Sequence, residues 1–158
     1  MISVKPIPRE LTYDIRHAVL REGLPRESCY WDTDTLPGAF HLGGWLEGRQ
    51  AGVATFQPEA DPDEPDVPAY RLRGMAVLPD ARGCGVGALM LLSGEDRVRQ
   101  TGITRLWCDA RIGAVGFYRK HGWESVGEAY DIPTAGLHCR MKKKLAAAGC
   151  RAGEGDTV

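Results

Sequence analysis

The chain has no run approaching the 18 or so apolar residues that a membrane-crossing helix needs, and its N-terminus lacks the signal-peptide pattern. No membrane partner is expected. The five cysteines (Cys29, Cys84, Cys108, Cys139 and Cys150) are odd in number, scattered, and form no CxxC pair. That excludes a disulfide framework and points to a reducing, cytoplasmic setting; no metal is expected. A surplus of one charge is also missing. Twenty basic residues face twenty-one acidic ones, for a net charge of −1, so the basic excess of a nucleic-acid binder is absent and no nucleic-acid partner is expected. No repeat recurs at a solenoid period, and no internal linker divides the chain. Glycine, by contrast, is abundant: 20 of 158 residues, nearly twice the usual share of about 7%. The remainder is ordinary globular composition, 43% hydrophobic and 26% charged. Such a chain buries roughly 68–70% of its unfolded surface as one domain. The expected domain is residues 1–145, followed by a small-residue, polar and flexible C-terminal tail at 146–158.

Hydrophobic periodicity orders the elements. Residues 1–7 alternate as a strand; Pro8 then suits the first turn of a helix whose stripe is Leu11, Ile15, Ala18 and Val19, stopped by Gly23 and Pro25. Residues 40–47 and 50–57 form a hairpin across Gly48-Arg49. A loop at 58–68, rich in proline and acidic residues, leads to a strand at 69–78. Helix 86–100, strand 103–109, helix 112–121 and strands near 123–130 and 137–144 complete an α/β chain.

The glycines concentrate between strand 69–78 and helix 86–100, in Arg82-Gly83-Cys84-Gly85-Val86-Gly87-Ala88. A helix N-terminus has unpaired N–H groups and the positive end of the helix dipole, so it suits an anion. Glycines let a phosphate approach the backbone, and Arg82 adds a full charge; a plain tight turn needs fewer of these features. A Walker loop is excluded because no Lys-Ser/Thr follows. Gly83-x-Gly85-x-x-Ala88, with Asp109 ending the next strand, also matches a dinucleotide fingerprint. However, too few elements follow for a second βαβ half, so a dinucleotide oxidoreductase is the weaker alternative.

Arg82-x-x-Gly85-x-Gly87 after a Val-Leu-Pro strand end resembles the acyl-CoA signature Gln/Arg-x-x-Gly-x-Gly/Ala of the Gcn5-related N-acetyltransferase (GNAT) superfamily. Phe117-Tyr118-Arg119-Lys120-His121-Gly122-Trp123 resembles the FYxKxGF segment that ends the family's fourth helix, and the element order agrees over residues 2–144. The resemblance implies a mixed central sheet of about seven strands flanked by helices, with strands four and five splayed. It also implies an N-acetyltransferase moving an acetyl group from acetyl-CoA to a primary amine of a small molecule or protein by direct attack. Met75, Ala76 and Val77 would run beside the pantetheine arm. Arg82, Gly83, Cys84, Gly85, Val86, Gly87 and Ala88 would wrap the pyrophosphate, and Tyr118 would lie near the thioester sulfur as general acid. Many members carry asparagine seven residues before that tyrosine; here the position is Arg111. The expected partners are acetyl-CoA and an unidentified amine, with a homodimer left open. A non-catalytic CoA-binding sensor is the alternative outside enzymes.

The proton acceptor is less legible. The family often uses a glutamate on strand four or five, but residues 70–77 hold no carboxylate. Asp109 is the catalytic candidate on strand five, although an aspartate there also suits an N-cap. His41, the loop acids between Asp61 and Asp66, and a water chain are the alternatives. Cys84 is read as a tolerated small residue, Cys108 as core, and Lys142 to Lys144 as a solvated face. Tyr30, Trp31, Phe40 and Trp45 either pack or shape an acceptor pocket.

Overall fold

The computed structural model describes residues 1–147. Seven strands form one mixed sheet: β1 (Ile2–Ile7), β2 (Phe40–Leu46), β3 (Arg49–Pro58), β4 (Tyr70–Val77), β5 (Arg105–Arg111), β6 (Glu124–Ile132) and β7 (Gly136–Lys144). Their spatial order is β1-β2-β3-β4-β5-β7-β6. The helices are α1 (Tyr13–Ile15), α2 (Val86–Gln100) and α3 (Val115–Lys120). Every strand pair is antiparallel except β4–β5. A parallel step requires a crossover, and α2 supplies it. Among the described residues no helix is long and apolar enough to cross a membrane.

The sequence reading of α2 holds residue for residue. The glycine turn ends at Gly85, whose φ of +94° opens the helix, and Gly102, at φ +89°, follows its end. Its buried residues Val86, Met90, Leu91 and Val98 pack on Leu42 and Phe56 of the sheet. Each such side chain contributes roughly 1.5–3 kcal/mol by leaving water. Trp123 extends this core and donates from Nε1 to Glu95 Oε2 at 3.0 Å.

The first helix departs from expectation. It is a 3-10 turn (Arg9–Thr12), the short α1 and a π turn (Arg16–Leu20). Leu11 is exposed, whereas Thr12, Ile15 and Arg16 form the buried face. The reason is Arg16, fully buried and bonded to Asp34 (Nη1–Oδ2 2.7 Å, Nη2–Oδ1 2.9 Å), Thr55 Oγ1 (2.7 Å) and the Cys29 carbonyl (3.0 Å). A buried guanidinium requires such partners, and the π turn coincides with the residue that reaches for them. The helix expected at 112–121 likewise begins as a 3-10 turn (Ile112–Ala114) with Ile112 exposed.

Lys142 to Lys144 are not simply a solvated face. Lys143 Nζ lies 2.7 Å from the buried Glu95, and Lys142 pairs with Asp61 and Glu64. Strand alternation turns these side chains toward carboxylates that sequence proximity does not reveal. Of the expected tail, Ala146 and Ala147 are described, and the Ala146 carbonyl accepts from Arg99 Nε at 3.0 Å; residues 148–158 lie outside the described part.

Candidate active site

β4 and β5 pair only at Tyr70 with Leu106 and Arg71 with Trp107. From Leu72 onward the β5-facing edge of β4 has no strand partner. On its other side Val53 pairs with Ala76 but Thr55 with Arg73, so Ala54 alone faces Gly74 and Met75. This is a β-bulge, which bends the strand and leaves a residue out of the ladder. Gly74 adopts φ +69°, and a Cβ there would stand 2.7 Å from the Trp31 ring. Glycine is required on both counts.

Beyond Val77 the chain enters the glycine turn, which borders a hollow of about 380 Å³. Arg82, Gly83, Gly85 and Gly87 line one side, and Phe117, Lys120 and His121 of the α3 region line the other. No atom lies within 4 Å of the Cβ position of Gly83, and at Gly85 only the end of the Ile2 side chain does, at 3.3 Å. The backbone is therefore open to a ligand, while Arg82 and the exposed Lys120 bring two positive charges. Arg82 Nε donates to the Val77 carbonyl at 3.2 Å, tying the guanidinium to the end of β4. This chemistry fits a diphosphate. The Val86 and Ala76 side chains are buried, Val86 in the core with Met90 and Leu91 and Ala76 with Ile7, Ile15 and Val53; Val86 borders the hollow, whereas Ala76 lines neither compartment. Cys84 is exposed. Lys120 and Phe117 also line the hollow, and both lie within the segment that includes Tyr118.

Bordering β4 and β5 where they part lies a cleft of about 200 Å³ whose lining includes Trp31, Met75, Asp109, Tyr118 and His138. Tyr118 is only 5% exposed and packs against Phe117 and Trp123, with ring centroids 5.2 and 5.3 Å away. Burial, and secondarily Cys108, pushes its phenol well above the usual value, so it keeps its proton.

Asp109 is not a helix cap. It lies within β5, and Arg111 and Ala114 precede the following turns. One carboxylate oxygen accepts from Arg71 Nη2 at 3.1 Å, the other from Arg140 Nε at 2.9 Å and from the Tyr130 hydroxyl. Burial opposes the charge, but the Tyr130 and Arg140 hydrogen bonds and the two guanidinium charges outweigh it and hold the carboxyl below its ordinary range. Tyr130 in turn is pushed up to about 12 by burial and by its bond to Asp109.

The other candidate bases stand outside this cleft. His41 is buried, with Nδ1 2.8 Å from Thr55 Oγ1 and Nε2 3.2 Å from the Asp34 carbonyl. Burial chiefly lowers its pKa. Asp61 and Glu64 border a separate hollow beside Trp107 and Lys142. Of the four candidate pocket aromatics, only Trp31 lines the cleft. Tyr30 tilts against Tyr13, Phe40 stacks on Phe56, and Trp45 lies under Lys5. The cleft also contains Arg21, Arg73 and Arg111, which sequence reasoning did not assemble. The one local signal was Arg71-x-Arg73, a charged pair at strand spacing in a central strand.

Known proteins share this fold. The acetyltransferase (GNAT) family profile matches residues 9–123. YitI of Bacillus subtilis (strain 168), described as an uncharacterised N-acetyltransferase, is 39% identical over 145 residues, covering 92% of this chain and 97% of its own. Among solved structures, an aminoglycoside 6'-N-acetyltransferase complexed with coenzyme A superposes with a TM-score of 0.72 at 12% identity, covering 94% and 99% of the two chains. Escherichia coli ElaA gives 0.71 at 20% identity, covering 91% and 100%. The family profile and the YitI likeness overturn the oxidoreductase alternative: the chain belongs to the acetyltransferase (GNAT) family and is an acetyl-CoA-dependent acyltransferase.

Proposed function

We propose that the protein acetylates a primary amine by its direct attack on acetyl-CoA, and that the β4–β5 splay holds the two substrates together. The observation carrying this reading is that one strand, β4, borders both compartments, with Met75 in the cleft and Val77 in the anion hollow. Acetyl-CoA supplies an activated acyl group as a thioester. Arg82, Lys120 and the 83–88 backbone hold its diphosphate, while the free edge of Met75, Ala76 and Val77 pairs with the pantetheine arm as an added strand would. Holding two reactants in contact is itself a large part of the rate enhancement. Past Arg71 the β5-facing edge of β4 has no strand partner, and its backbone N–H groups polarise the acyl carbonyl. Tyr118, protonated by its burial, gives its proton to the departing thiolate.

Asp109 is the carboxylate of the cleft lining, but its two arginines and Tyr130 make it a weak proton acceptor. Its role in this reading is to fix Arg71 and Arg140, and the amine's proton leaves through cleft water. The test is CoA release by the whole protein over amines, amino acids, amino sugars and peptides. Stabilisation by acetyl-CoA together with amine-dependent CoA release supports the proposal. Binding without turnover across a broad panel would establish the sensor instead.

A further inference from the structure

The cleft contains charge that the transfer reaction alone does not explain. Arg21 reaches it from the bend just after the first helical segment, Arg73 from β4 and Arg111 from β5. Among the described residues none of the three has a carboxylate partner, whereas Arg16 pairs with Asp34, Arg71 with Glu59 and Asp109, and Arg140 with Asp61 and Asp109. Asp109, the carboxylate of the lining, is thus already matched. Arg21 Nη1 and Arg111 Nη2 donate to the same Leu20 carbonyl, at 3.0 and 3.1 Å, so two guanidiniums converge on one atom. Arg73 Nη1 donates to Thr33 Oγ1 at 3.2 Å, and its guanidinium stacks 4.1 Å from the Trp31 ring centroid. A guanidinium has five N–H donors in a fixed fork, so each has donors beyond the one bond it makes, and all three line the cleft. The crowding is costly. Burial, then the charges of Arg71, Arg16 and Arg21, lowers Arg73 to about 10; burial and Arg21 likewise lower Arg111. Arg73 remains a cation at neutral pH.

We infer that the acceptor is an amine bearing an oxyanion, a carboxylate or phosphate, which Arg21, Arg73 and Arg111 bind while its nitrogen reaches the acyl carbon. This rests on the transferase reading above and names its acceptor class. Arginine forks match the planar or tetrahedral oxygens of such groups, and an anion relieves the repulsion among the three cations. A polyamine meets like charge and is disfavoured.

The test uses the whole protein, Arg73→Gln, Arg111→Gln, and the charge-preserving Arg73→Lys. Thermal stability is followed with and without saturating CoA while inorganic phosphate or succinate is titrated at constant ionic strength. CoA release is measured on matched pairs: α-amino acids against their amides, and glucosamine 6-phosphate against glucosamine, with spermidine as the cationic control. The expected result is anion-dependent stabilisation of the wild type, with the half-saturating anion concentration raised about tenfold in the glutamine variants and less in Arg73→Lys. In one matched pair the oxyanion-bearing amine should have a kcat/KM at least about tenfold higher, and that pair identifies carboxylate or phosphate. The glutamine variants should raise KM for that amine while leaving KM for acetyl-CoA unchanged. Equal turnover of the uncharged partners or of spermidine overturns the inference. If no amine in the panel reacts, an anion shift absent from the wild type, or undiminished in both glutamine variants, overturns it. Failure of acetyl-CoA to stabilise the wild type refutes the transferase reading instead, and the titration without CoA then decides the anion site on its own.

Discussion

Tyr118→Phe separates the chemical and structural roles of this residue. The ring is 5% exposed between Phe117 and Trp123, and phenylalanine retains both contacts. The hydroxyl donates to no protein acceptor among the described residues, so its loss removes at most about 1 kcal/mol of net stability. In a chain of this size that is roughly 2–4 °C in Tm. The catalytic consequence is far larger. A positioned general acid contributes ~10²–10⁴-fold, which is about 2.7–5.4 kcal/mol of barrier at 1.36 kcal/mol per decade. The phenol's pKa is raised by burial, so the wild type should show no loss of its acid below the ordinary tyrosine range near pH 10. The assay is single-turnover CoA release, where chemistry rather than product departure sets the rate, alongside acetyl-CoA binding by calorimetry. The expected variant binds normally and melts no more than about 4 °C below the wild type, while its rate falls at least about a hundredfold. An unchanged rate in a well-folded variant would show that Tyr118 is only a packing residue.

Three other outcomes are expected. Gly85→Val places a branched side chain at φ +94° and into the anion hollow. It should abolish stabilisation by acetyl-CoA, about 2.7 kcal/mol at a hundredfold excess over Kd, as read by thermal shift; normal binding would contradict the assignment of the turn. Asp34→Ala leaves the buried Arg16 without its carboxylate and should cost about 3–5 kcal/mol, measured by urea denaturation, whereas a loss under about 1 kcal/mol would mean the network is dispensable. Asp109, with its folded pKa held below the unfolded value near ~3.9, contributes stability that is fully present above that value and lost as pH falls through the folded pKa. Asp109→Asn should therefore flatten acid unfolding in that window while leaving the pH profile of kcat unchanged above it; loss of an acidic limb from that profile would make Asp109 the base after all.

The sequence by itself determined the elements whose signals are local. The glycine turn and the limits of α2 are legible because backbone conformation and hydrophobic period act over a few residues; the β2–β3 hairpin is legible too, but its turn is Glu47-Gly48 rather than Gly48-Arg49, with Leu46 paired to Arg49. The Arg82-x-x-Gly85-x-Gly87 and Phe117 to Trp123 segments carried the family resemblance for the same reason: their chemistry depends on short, fixed spacing. Tertiary structure decided the rest. The stripe Leu11, Ile15, Ala18 and Val19 misplaced the first helix because a buried Arg16, satisfied by Asp34 and Thr55, outranked apolar side chains at neighbouring positions. Asp109 read as a cap or a base until strand register set Arg140 opposite it and the β4–β5 pairing brought Arg71 within reach. Arg21, Arg73 and Arg111 are unremarkable charges along the chain, and only the splay and the bulge at Gly74 gather them around one cleft. Period encodes which face a side chain takes, whereas a charge acquires its meaning from partners that register and folding bring from distant segments.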